Sequence, residues 1–100
     1  MKHSKTTKKL SSKLDTVLEK IKTLSNEEFT SFIDLSFTVQ FDQFPGSLLV
    51  TCQFKNDENF DTVKAKENTY QKTLHKLLFK QGIVLKNPSQ NLAFTKSDSL

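Results

Sequence analysis

Arginine is missing from this chain, so all fifteen basic residues are lysine. Arginine supplies the planar fork that grips guanine edges and phosphates in two places at once. Without it, strong direct base readout is not expected, whereas loose phosphate contact through lysine stays open. Cysteine occurs once, as Cys52, which excludes an internal disulfide and denies a cysteine-rich metal site its ligands. The two glycines, Gly46 and Gly82, stand too far apart to build a glycine-rich phosphate loop. No apolar run exceeds three residues, as at Leu48-Leu49-Val50 and Ile83-Val84-Leu85, so no membrane span is expected. The opening MKHSKTTKKL carries the charge of a signal-peptide start, but polar residues follow where the apolar segment should stand. A cytoplasmic location is therefore expected.

What is present suits one small soluble domain. The chain has 100 residues, 35% hydrophobic and 26% charged, enough for one core and too few for two. The domain is expected over residues 9–96, between a disordered basic tail at 1–8 and a loose tail at 97–100. Charge falls in three blocks. Residues 1–24 carry net +5, residues 25–61 net −6 and residues 62–100 net +5, a pattern that suits an anionic surface or attraction between copies.

Hydrophobic spacing supplies the elements. Leu10, Leu14, Val17, Leu18, Ile21 and Leu24 recur in steps of three and four, the stripe of an amphipathic helix. The same spacing would serve a short helix-to-helix seam, which makes Val17 and Ile21 candidate dimer contacts. Ser25, three residues before Glu28 and flanked by Leu24 and Phe29, reads as a capping box that opens a second, short helix over about residues 26–33. Residues 35–41 (LSFTVQF) and 48–54 (LLVTCQF) alternate apolar and polar as half-buried strands, joined by a turn containing Pro45-Gly46. Phe44 at the tip and Leu49 on the outer face are left over as possible protein contacts. Phe60, Val63, Tyr70, Leu74, Leu77 and Leu78 share a face of a long helix that Gly82 ends. Short strands are expected at 83–85 and 92–95.

No catalytic residues are expected. Alternation puts Cys52 among core residues, His3 lies in the tail, and His75 borders the long helix's apolar stripe, so neither a nucleophile with its base nor a metal site assembles. Asp57, Glu58 and Asp61 precede or open a helix, where its dipole favours negative charge. No cofactor is implied. Lys72, Lys76 and Lys80 recur every fourth residue, with Lys64 on the same general side. Together with Lys8, Lys9 and Lys13 they form a candidate nucleic-acid surface, the plain alternative being a solvated helix face.

The segment Phe44-Pro45-Gly46-Ser47-Leu48-Leu49-Val50-Thr51-Cys52-Gln53-Phe54 resembles an FP-x-SL-x-V-x-C-x-F pattern shared by a group of small bacterial proteins of unknown function. Some of these are called Fis family transcriptional regulators. The resemblance implies a common fold and carries over no site residue. The fold expected is α+β in the order ααββαββ: N-terminal helices, then two antiparallel hairpins separated by a long helix. The helices pack on one face of a four-stranded sheet of order 2-1-3-4. The function expected is a non-catalytic binding module with weak, salt-sensitive contacts to RNA or DNA phosphates or a ribonucleoprotein. The alternative is a protein-interaction or homodimerisation module with no nucleic-acid role.

Overall fold

The computed structural model describes residues 5–97. Its elements are α1 (Lys5–Glu28), β1 (Phe32–Thr38), β2 (Leu49–Phe54), α2 (Phe60–Lys64), α3 (Glu67–Lys80) and β3 (Leu92–Lys96). The expected tail at 1–8 lies outside the described residues for 1–4, while the backbone of 5–8 belongs to α1. Of the expected C-terminal tail, 98–100 likewise lie outside them.

The α+β class stands, but the four-stranded ααββαββ architecture does not. Among the described residues three strands form one sheet in the order β1-β2-β3. The capping box at Ser25 never forms, because Ser25 and Phe29 continue the α1 stripe by steps of four from Ile21. The Ser25 hydroxyl is buried and donates to the Ile21 carbonyl at 2.9 Å, while the Phe29 amide closes the helix on the Ser25 carbonyl. The residues expected to start a second helix instead finish the first. Leu24, expected on the apolar stripe and beside the capping box, is 43% exposed.

β1 begins three residues before the expected strand. A bulge between Phe32 and Asp34 resets its register against β2, so that Phe32 and Leu35 both face the core. The strand ends at Thr38 because the chain turns there: the Ser47 hydroxyl bridges the amide and carbonyl of Gln40 at 2.9 and 2.7 Å.

The last hairpin fails for a reason written into the end of α3. Gly82 takes φ +82°. Its amide donates to the Phe79 carbonyl and the Ile83 amide donates to the Leu78 carbonyl, both at 2.9 Å, the two hydrogen bonds of a Schellman cap. Ile83 is thereby committed to the helix end. Residues 83–85 keep their alternation, with Ile83 and Leu85 buried and Val84 exposed, but pair with no strand among the described residues. β3 lies parallel to β2, with Val50 opposite Leu92 and Cys52 opposite Phe94, as a helical crossover requires.

The helices cover one sheet face. Val50, Cys52, Phe54, Leu92 and Phe94 are buried there against Leu14, Val17, Leu18 and Ile21 of α1 and Tyr70, Leu74 and Leu78 of α3. Val17 and Ile21, candidate dimer contacts in the sequence, are thus core residues, since the sheet needs the whole stripe. Phe29, Phe54, Tyr70 and Phe94 meet at one end of this core with ring centroids 4.7–5.9 Å apart, within the range of favourable aromatic pairs. On the opposite face Ser36, Thr38, Leu49 and Gln53 are exposed.

Candidate functional site

α1 and α3 run antiparallel. The Lys13 ammonium donates to the Gln81 carbonyl just past the C-terminus of α3 at 3.2 Å, and the Tyr70 hydroxyl, near the other end of α3, donates to Glu28 at 2.6 Å. This brings the basic start of α1 to the C-terminal end of α3. Lys9, Lys72, Lys76 and Lys80 are exposed, and the cations at that end also suit the negative pole of the α3 dipole. Among the described residues no ion pair involves Lys72, Lys76 or Lys80. The side chain of Lys8 lies outside the described residues.

Lys64 is placed differently. It pairs with Glu67 at 2.7 Å and donates to the Phe94 carbonyl at 3.0 Å, so its charge is committed to the sheet. The neighbouring Glu67 carboxylate accepts the Phe94 amide at 2.8 Å, and the buried Gln71 amide donates to the Leu92 carbonyl at 3.0 Å. Since the Val50 amide bonds the Asn91 carbonyl and the Ser97 amide bonds the Phe54 carbonyl, the odd residues of this stretch face β2. Leu92 and Phe94 turn their backbones to the free edge. Lys64, Glu67 and Gln71 close that edge. The sequence signal was present: Gln71 sits at helical spacing with Leu74 and Leu78, a polar residue on an apolar stripe.

Beside Lys72, Lys76 and Lys80 stands a residue that the sequence pattern did not single out. Phe79 is 62% exposed. It lies outside the stripe of Tyr70, Leu74 and Leu78, and its ring stacks on His75 with centroids 6.4 Å apart and planes 30° apart. The His75 Nδ1 is buried with no partner among the described residues. Helical geometry sets Phe79 next to the row of Lys72, Lys76 and Lys80. An exposed ring, backed by a half-buried imidazole and flanked by cations with no ion-pair partner among the described residues, can take a base on its face and phosphates along its side.

Other candidates resolve into structure. Phe44 packs half-buried against the core rather than projecting from the loop tip, and it borders a cavity of about 460 Å³ with Pro45, Val84, Lys86, Asn87 and Gln90. The buried Asn91 amide fixes that loop by donating to the carbonyls of Leu48 (2.7 Å), Pro45 (3.3 Å) and Gly46 (3.5 Å). Leu49 remains exposed on the outer sheet face. Burial pushes the Cys52 thiol up to about 12, a hydrogen bond with Ser25 pulling weakly the other way, which leaves it a poor nucleophile. Burial, with the hydrogen bond to Glu28 and its charge, also raises the Tyr70 hydroxyl. Among the described residues no group of three or more His, Cys, Asp and Glu is placed to hold a metal ion. No described helix is long and apolar enough to cross a membrane. No protein-family model, curated protein or solved structure matches the chain.

Proposed function

We propose that the chain is a non-catalytic module that binds single-stranded nucleic acid, with Lys72, Lys76 and Lys80 following phosphates and Phe79 offering a face for a base. The observation that carries the reading is the 62% exposure of Phe79 beside cations that no carboxylate among the described residues neutralises. A lysine row alone is equally a solvated face. A large aromatic ring left in water on that same helix surface is what a solvated face does not need. Lys9 and Lys13 extend the charge at the C-terminal end of α3, Lys13 less freely because it also holds Gln81. Lys64 drops out of the binding set. Leu48, Val50, Cys52 and Phe54 of the FP-x-SL-x-V-x-C-x-F segment are core residues and take no part in the binding.

Fluorescence anisotropy with generic single-stranded RNA and duplex DNA at two salt concentrations tests the proposal. Binding should prefer the single strand. Changing the three row lysines to Gln should flatten the log-log salt dependence by about two, at about 0.7 per phosphate contact. Phe79→Ala should weaken the single strand by about tenfold, the lower half of the range of about 1–3 kcal/mol for one stacked base, and barely change the duplex. Absence of binding at low salt, or equal loss on both substrates with Phe79→Ala, would refute it.

A further inference from the structure

The two sheet edges are closed unequally. At β3 three side chains from the neighbouring helices take the outward carbonyl of Leu92 and both outward groups of Phe94. At β1, Val50, Cys52 and Phe54 of β2 turn their backbones to β3, so Leu49, Thr51 and Gln53 bond β1 through Thr38, Ser36 and Asp34. Leu35 and Phe37 therefore face the free edge. Among the described residues one side chain guards it: the Asp34 carboxylate folds back onto the Leu35 amide at 2.8 Å, steadied by Lys22 at 3.5 Å. The outward groups of Phe37 and the Leu35 carbonyl take no side-chain partner among the described residues. Beside them Ile33 and Phe37 are 47% and 39% exposed, in grooves between β1 and Lys22 and Glu19 of α1.

We infer that β1 is a latent pairing edge for a second copy of this chain, held shut by Asp34. The strand is self-complementary. An antiparallel pair centred on Leu35 sets Ile33 against Phe37 of the second copy and Phe37 against Ile33, so both exposed apolar residues find each other. Asp34 falls opposite Ser36, so the two carboxylates do not meet across the axis. The outward amide and carbonyl of Leu35 then exchange bonds with their counterparts, which requires Asp34 to leave. A single charged residue on an edge strand is a known means of preventing such pairing. With the β3 edge closed, pairing stops at two copies, because the twofold contact uses the same surface on both. This inference is independent of the nucleic-acid reading.

Light scattering coupled to size exclusion tests it. Wild type should run at the 11.5 kDa of one chain. Asp34→Thr, which suits a strand and removes the guard, should double the mass, and adding Phe37→Lys should return it to one copy. Circular dichroism checks each fold, and Asp34→Ala replaces Asp34→Thr if that variant does not fold. A folded, monomeric guard variant at high concentration overturns the inference. So does a wild-type dimer, or a variant dimer indifferent to Phe37→Lys. Growth beyond two copies overturns the closed assembly.

Discussion

Asn91→Ala tests whether one buried amide ties the hairpin loop to the last strand. The residue is 3% exposed, and its amide is the side-chain partner of the Leu48 carbonyl, at 2.7 Å. Alanine removes that bond and the two longer ones, and strands the Leu48 carbonyl where the fold admits no water easily. An unsatisfied buried acceptor costs about 1–3 kcal/mol. Adding the weaker contacts to Pro45 and Gly46, a loss of about 2–3 kcal/mol is expected, since the long bonds add only tenths each. For a domain of this size that lowers Tm by about 10–20 °C. Urea unfolding should show a lower midpoint with an unchanged slope, because the surface exposed on unfolding hardly changes. Asn91→Asp should be worse, as a carboxylate oxygen would face three carbonyls. Gln90→Ala, next door and exposed, should stay within about 0.5 kcal/mol. A loss under about 0.5 kcal/mol for Asn91→Ala would show that the amide is not holding the loop.

Four further outcomes follow from the core. Tyr70→Phe should cost about 1.5–3 kcal/mol in chemical denaturation, since it deletes a 2.6 Å bond to a carboxylate; a double-mutant cycle with Glu28→Gln showing no coupling would contradict that bond. The folded state holds the Cys52 thiol in its neutral form. The stability this gives is whole below the ordinary value of 9.0 and declines as pH rises toward about 12. The slope is about 1.4 kcal/mol per pH unit for each proton. Denaturation between pH 9 and 10 should therefore show a decline that Cys52→Ala reduces, with Tyr70 adding to the loss above its ordinary 10.0. The same burial predicts that a disulfide-exchange reagent labels Cys52 only at the rate of unfolding, and fast labelling of folded protein would contradict it. Ile21→Ala should cost about 2–5 kcal/mol as a buried cavity, whereas Leu24→Lys should stay near zero; comparable losses at both sites would restore the two-helix reading of residues 10–33.

The sequence by itself determined the faces. Periods of 3.6 and 2 identified the buried sides of α1, β2 and α3, and placed Cys52 in the core and the row of Lys72, Lys76 and Lys80 outside it, because periodic burial is written residue by residue. Phe79 was legible too, as the aromatic residue that misses the stripe of its own helix. What the sequence could not determine was which local signal would win. Ser25 is equally a good cap and a tolerable buried hydroxyl; only the core waiting beneath α1 kept the helix running to Glu28. Residues 83–85 alternate like a strand, yet the Gly82 cap claimed the Ile83 amide and left the place beside β2 to residues 92–96. Sheet order, the commitment of Lys64 to the β3 edge and the hold of Lys22 on the Asp34 guard at β1 rest on contacts between residues distant in the chain. Those contacts were decided by the tertiary structure, because a backbone donor or acceptor at a sheet edge takes whatever side chain the packing brings within reach.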